Sequence, residues 1–304
     1  MKDTRTPLFV ALAANALNLA LDALFIFGLG WGAAGAGLAT SAAQLLSLGA
    51  MLAALHRRGC LRARDVLHLP SAAEMAPMVF AGATLSTRSI ASTAAITVAT
   101  GSVAGLGAAP LAAHEILRQV WMTCYLALGP LGICAQTLVA GALGAGDAAQ
   151  ARSIAGRLFQ LALFWGGVAS VGMFTLAPAY VRAVAPDAAV AGLAAALFPL
   201  FAAFQPLEGL MVVGDSVLLG AQDHAHVARG MVVAAVCCVA ALKATAGLGW
   251  GLLAVWGSLK VLSTGRLVNS LARLRSPGSP LADGAAGLAL IEEEAVEEGG
   301  KGEL

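Results

Sequence analysis

The sequence predicts an all-α membrane protein with about eight transmembrane helices, and three observations carry that reading. Hydrophobic residues make up 59% of 304 positions and charged residues only 12%, about half the charge of a soluble domain. The apolar residues, with a mean hydropathy of +0.82, gather into eight runs of spanning length separated by short polar connections. A pentapeptide, Gly-Leu-Gly-Trp-Gly, stands at 28–32 and again at 247–251, each time between two such runs, which points to a duplicated helical unit.

The runs are 7–27, 33–55, 75–99, 108–142, 156–178, 190–219, 227–246 and 250–271. The first follows Lys2 and Arg5, as the core of a secretory signal would. At about 21 residues it has spanning length, and it carries Asn15, Asn18 and Asp22, for which an export signal has no use, so it reads as a retained span. Spacings of three and four residues place Asn18 and Asp22 on one helical face with Asn15 beside them. A carboxyl group at bilayer depth costs about 2.5–3.5 kcal/mol on insertion scales, so Asp22 is expected to face a cavity or a partner helix. The second run adds Thr40 and Gln44, again four apart.

The connection 56–74 carries Arg57, Arg58, Arg62 and Arg64 and reads as the boundary between two bundles. The long fourth and sixth runs contain Pro130, Pro199 and Pro206, so bends are expected there. Residues 274–304 turn polar, acidic and glycine-rich and are expected to form a disordered tail. With both ends on one side, Lys2, Arg5, the loop arginines, Arg152, Arg273 and Arg275 share a face, and the opposite loops hold little besides Arg182. That asymmetry predicts cytoplasmic (or stromal) termini and leaves open a plastid-envelope, vacuolar or plasma membrane.

Other classes find no support. Five cysteines lack C-x-x-C spacing and read as small core residues, so neither a disulfide framework nor a metal site is expected. There is no basic tract interleaved with aromatics to suggest nucleic acid, and no Walker, zinc, triad or dinucleotide motif to suggest an enzyme or a cofactor.

Charged residues inside the later runs need partners. Glu208 and Asp215 are seven apart, two helical turns, on one face of the sixth run. Arg88 lies among Ser86, Thr87 and Ser89; pairing with Glu208 or Asp215 across helices is favoured over a free place in a cavity. Lys260 is mid-span and needs a carboxylate or a wet groove, whereas Lys243 reaches the outer surface by snorkelling. Were these bases unpaired, the cavity would suit organic anions rather than cations. Glu115 and Arg118 are placed for an intrahelical ion pair, and His114 reads as a hydrogen-bonded structural residue.

The two pentapeptides lie 219 residues apart, and six runs fill that period. A six-helix unit is then complete at 75–271, while the first unit is represented by its last two helices, and four spans are expected to be absent before Met1.

Several segments in order match a known family: Asp3–Pro7 (DTRTP) with Asn15, Asn18, Leu21, Asp22 and the glycine turn; Leu111–His114 (LAAH); Ala135–Val139 (AQTLV) through Leu143–Asp147 (LGAGD); and Gln205-Pro206 followed by Asp215, Gly220 and Asp223. Over about residues 3–273 the chain resembles the multidrug and toxic compound extrusion (MATE) family, in its DNA-damage-inducible-protein-F-like branch, which has bacterial, plant and algal members. The resemblance implies twelve helices in two six-helix bundles around a cleft with alternating access, exchanging protons or sodium ions for organic solutes. On that scheme 1–55 is a partial N-terminal bundle of two spans, 56–74 the cytoplasmic inter-bundle loop, 75–273 a complete C-terminal bundle and 274–304 the tail. The family's ion-coupling positions fall on Asn18, Asp22 and Thr40. Protonation of Asp22, sodium binding by the Asp/Asn/Thr set and a mere interhelical clasp all fit these residues.

A second ion or solute site is expected at Glu208, Asp215 and Arg88, and the solute cavity at Asn15, Gln44, Gln205 and Lys260. Glu208 falls close to an acidic ligand of sodium-coupled relatives and departs from the Asn more usual in the nearer branch. The expected partners are the lipid bilayer and a small organic solute, a cation or a carboxylate anion, with no cofactor beyond the coupling H+ or Na+. The competing expectation is a truncated, non-transporting fragment that associates with a full-length relative or is inactive.

Overall fold

The structure is a computed structural model that describes residues 5–61 and 70–282. Among the described residues the regular structure is helical throughout, in two compact units, Met1–Ala76 and Pro77–Leu304. The division falls at Pro77, near the start of a long helix, where the ring removes one i to i−4 hydrogen bond.

The first unit is a helical hairpin. Helix α1 (Arg5–Asp22) opens into a wide π-helical turn over Ala23–Gly28 and returns as α2 (Gly32–Arg57). The reversal requires left-handed backbone at Gly30 (φ 69°) and Gly32 (φ 54°), which glycine adopts without a Cβ clash. Trp31 donates its backbone N–H to Phe25 O at 3.0 Å, and the two rings lie 5.3 Å apart. At the other end Arg58 Nη2 donates to Thr6 Oγ1 at 2.9 Å, so the hairpin is tied at both ends.

The second unit contains α3 (Ala72–Ala104), α4 (Ala108–Gly144), α5 (Ala148–Val184), α6 (Ala188–Gly220), α7 (His224–Ala246) and α8 (Leu252–Arg275). Short side chains set the starts: Ser71 and Glu74 form a capping box before α3, and those hydrogen bonds hold the Glu74 carboxyl below its ordinary pKa. Asp147, Asp187 and Asp223 each accept a backbone N–H three residues on, opening α5, α6 and α7. The long runs form single continuous helices through Pro130, Pro199 and Pro206.

Helix α6 is the hub. It packs on α4, α5 and α8, and buried residues occur on all its faces. The approach to α5 is backbone to backbone: a Cβ at Gly209 would stand 2.7 Å from Ala162 O, and one at Gly166 would stand 2.6 Å from Pro206 Cα. Such contacts replace hydrophobic drive as the means of helix association where the surroundings are lipid. One core gathers around Trp256 and Phe201, whose rings meet at 4.5 Å; a second lies where Ala135, Val139, Ala151, Ala155 and Val217 join α4, α5 and α6.

Among the described residues six helices are long and apolar enough to cross a membrane: Arg5–Gly28, α2, α4, α5, α6 and α7. Helices α3 and α8 are long enough at 33 and 24 residues but more polar: α8 turns Lys260, Ser263, Arg266 and Ser270 to α6, and α3 turns Arg88 to it. The expected disorder from 274 onward needs correction over 274–282. There α8 continues to Arg275, and the following residues turn back so that Leu281 enters the second core. Residues 283–304, and 62–69 of the expected inter-bundle loop, lie outside the described residues.

Gly209→Ala is expected to destabilise the protein by about 1–3 kcal/mol, because the added methyl must push α6 off α5. Gly172→Ala, where a Cβ meets nothing within 4 Å, serves as the neutral control, and thermal unfolding in detergent reads the difference.

Candidate functional site

The polar residues of α8 recur at helical spacing: Lys260, Ser263, Arg266, Ser270 and Arg273. Steps of three and four residues align them as one stripe. Helix α6 presents Glu208 and Asp215, two turns and about 10 Å apart, with Asp223 in the turn beyond its end. The two series meet rung by rung.

At the first rung Glu208 Oε1 accepts from Lys260 Nζ at 2.8 Å and from Ser263 Oγ at 3.0 Å. The two ionic side chains are only 3% and 4% exposed, so each charge depends on the other for compensation. The ammonium also lies 4.9 Å from the Phe201 ring centre and 5.5 Å from that of Phe204, within cation–π range. Unused hydrogen-bonding capacity surrounds the pair. Both amide atoms of Gln205, Glu208 Oε2 and the indole nitrogens of Trp121 and Trp256 are enclosed without a protein partner.

At the second rung one carboxylate meets two guanidinium groups. Asp215 Oδ2 accepts from Arg266 Nε at 3.1 Å and Nη2 at 2.5 Å, and from Arg88 Nη2 of α3 at 3.2 Å; Oδ1 accepts from Ser270 Oγ at 2.8 Å. Arg88 and Arg266 both line a cavity of about 260 Å³ that also presents Ser89, Ser92, Thr93 and Tyr125. Across the two buried rungs three bases face two acids, which leaves one positive charge in excess. At the third rung Arg273 Nε donates to Asp223 Oδ2 at 2.7 Å.

In the hairpin Asn18 Nδ2 reaches Thr40 Oγ1 at 3.5 Å, and Thr40 donates to Ala36 O at 3.0 Å. Asp22 is half-buried one turn beyond Asn18, with Oδ1 enclosed and without a protein partner. Asn15 turns back to its own helix at Ala11 O, 2.9 Å away, and Gln44 is exposed on α2. The structure therefore brings Asn18 and Thr40 together, and brings Arg88 to Asp215 and Lys260 to Glu208. His114 is buried, with Nε2 3.2 Å from Thr100 Oγ1 and its ring 5.1 Å from that of Trp256. Glu115 and Arg118 pair within their helix at 2.6 Å.

Arg266, Ser263 and Ser270 are the functional candidates that reading the sequence missed. The signal was the regular spacing from Lys260 to Arg273, which marks a polar face opposite two acids spaced by seven. Among the described residues no group of three or more His, Cys, Asp or Glu could hold a metal ion.

Removing Asp215 strands two buried guanidinium groups, whereas removing Arg88 leaves the forked Arg266–Asp215 contact in place. Asp215→Ala is expected to cost about 3–5 kcal/mol, as for breaking a buried pair, and Arg88→Ala about 1 kcal/mol or less. Thermal unfolding of the two variants in detergent checks the order.

The MatE family model matches residues 77–243, more than half of the chain. Protein DETOXIFICATION 43 of Arabidopsis thaliana is 31% identical over 279 residues, covering 92% of this chain and 52% of that protein. Protein DETOXIFICATION 44, chloroplastic, from the same plant is 30% identical over 281 residues, covering 92% and 53%. The chain thus spans about half the length of the curated relatives it matches. A crystal structure of MATE in the straight conformation superposes with a TM-score of 0.76 at 16% identity, over 93% of this chain and 63% of that one, a likeness of fold. With its second unit matched by the family model from the third helix through most of the seventh, the chain belongs to the MatE family.

Proposed function

We propose that the protein acts as a secondary active transporter that exports an organic carboxylate anion in exchange for protons or sodium ions. The observation that carries this reading is the imbalance inside the second unit. Arg88, Arg266 and Lys260 face only Asp215 and Glu208, and two of the three bases line a cavity rich in hydroxyl groups. Two guanidinium groups sharing one carboxylate leave positive charge only partly compensated, so an anion entering that cavity is favoured over a cation. Arg88, the more exposed of the two guanidinium groups at 22%, is the group best placed to exchange Asp215 for a solute carboxylate.

In this reading Asn18, Asp22 and Thr40 form the ion-coupling set of the hairpin. The enclosed, unpartnered oxygen of Asp22 supports it, since it is an acceptor left open to a coupling ion. Glu208 and Asp215 serve the second unit, with Gln205 and Lys260 toward the solute, and Asn15 and Gln44 are the hairpin's own candidates for solute contact. Residues 1–55 and 75–273 then act as parts of two bundles joined by 56–74, in the DNA-damage-inducible-protein-F-like branch. Both termini lie on the cytoplasmic or stromal side. A relative described as chloroplastic supports a plastid-envelope location.

The test is uptake into proteoliposomes driven by a proton or sodium gradient, comparing di- and tricarboxylates with a quaternary ammonium. Carboxylate uptake is expected, and Asp22→Asn is expected to lower the gradient-driven component about tenfold or more while leaving solute binding in place. Gradient-driven uptake of the ammonium alone would overturn the anion reading, and coupling that survives Asp22→Asn would remove Asp22 from the mechanism.

A further inference from the structure

The chain does not leave the bundle where α8 ends. After Arg275 it folds into successive turns: Ser276 N–H donates to Arg273 O at 3.2 Å, Ser279 N–H to Ser276 O at 3.0 Å, and Ala282 N–H to Ser279 O at 2.8 Å. Ser276 Oγ also donates to Arg273 O at 2.8 Å, and Ser279 Oγ accepts the Leu281 N–H at 3.2 Å. The Leu281 carbonyl accepts from Arg152 Nη1 of α5 at 2.5 Å, while its side chain joins the core shared by α4, α5 and α6. Ser279, Pro280 and Leu281 are all buried. A seven-residue latch, 276–282, is thus seated by one leucine, one arginine–carbonyl bond and its own turns.

Both serines of the latch precede proline, as Ser276-Pro277 and Ser279-Pro280. We propose that Ser279 is a phosphorylation site for a proline-directed serine/threonine kinase, and that phosphate there holds the latch off the bundle. In the reaction Ser279 Oγ attacks the γ-phosphorus of a nucleoside triphosphate. The Oγ–P bond forms, the bond from that phosphorus to the β,γ-bridging oxygen breaks, the nucleoside diphosphate leaves, and the hydroxyl proton passes to the kinase's base.

The geometry makes docking and modification mutually exclusive. Docked, Ser279 is 5% exposed, and its hydroxyl oxygen faces the Leu281 amide, two residues before the side chain that enters the alanine- and valine-lined core. A phosphate there would bury close to two negative charges and three acceptor oxygens where the docked hydroxyl accepts one backbone N–H. The kinase therefore meets only the undocked segment, and the modified segment cannot return. Short non-helical segments held by a single core side chain open more readily than the helices they lie on, so the undocked form is accessible without unfolding the bundle. Ser276 differs. It is half-buried, bonded only to the α8 end, and a phosphate on it would lie near Arg273 without displacing Leu281. The charge asymmetry of the sequence puts this end on the arginine-rich face, the side where nucleoside triphosphates are found.

The test uses the full chain in nanodiscs with a proline-directed kinase and ATP, read by site-resolved mass spectrometry and by hydrogen exchange over 276–282. Phosphate is expected on Ser279, with exchange of the latch amides several-fold faster in the modified protein and in Ser279→Glu. Leu281→Ala, which empties the socket without adding charge, is expected to raise the rate of Ser279 phosphorylation several-fold. The proposal fails if phosphate appears only on Ser276, if neither wild type nor Leu281→Ala is modified, or if the latch stays protected with Ser279 phosphorylated. None of these readouts depends on transport.

Discussion

Two carboxylates on the most deeply buried helix decide what its neighbours must carry. Glu208 and Asp215 sit in α6, where burial on all faces denies them water, so their charges persist only if opposite charges arrive on adjacent helices. Helix α8 answers with Lys260 and Arg266, helix α3 with Arg88, and serines fill remaining acceptor sites. The polarity of α8, which sets it apart from the six plainly apolar helices among the described residues, follows from the same requirement. Helix α3 sends Arg88 to α6, while Thr84, Thr87, Ser89 and Ser102 bond carbonyls of their own helix.

The backbone contacts and the ionic ones solve different parts of the packing problem. Between α5 and α6, Gly166 and Gly209 remove the side chains altogether and let main chains touch. Between α6 and α8 the spacing is held by long side chains whose heads must meet at hydrogen-bond distance. The first contact fixes proximity, and the second fixes register: a slip of α8 by one residue would carry every base about 100° away from its acid.

Much of this was legible in the residues. Run length and spacing located eight helices, most ends within a few residues but the helix Ala148–Val184 read short by eight and six, and the glycine pentapeptide marked the hairpin turn, because both signals are local. Three- and four-residue spacing also put Asn18 in line with Asp22, and the need for a counter-ion pointed Arg88 to Glu208 or Asp215 and Lys260 to a carboxylate or a wet groove. What stayed hidden was non-local. Arg266 lay near the end of a run and passed for one more residue of a span, and only the approach of α8 to α6 shows that it shares Asp215. The seat of Leu281 was hidden for a similar reason: a polar, proline-containing stretch reads as solvated, and the socket that receives it is built by three helices far earlier in the chain. Residue pairing on one helix can be counted, but a hole between three others cannot.

The contact between Arg88 and Asp215 has one more consequence. Arg266 grips the carboxylate with two nitrogens, whereas Arg88 touches it with one, at 3.2 Å. Subtracting Arg88 leaves Lys260 with Glu208 and Arg266 with Asp215, a ledger that closes at zero. Arg88 can therefore let go of Asp215 without stranding an ion on α6 or α8. An anion arriving at Arg88 would compete with one long hydrogen bond and leave the forked grip beneath it untouched.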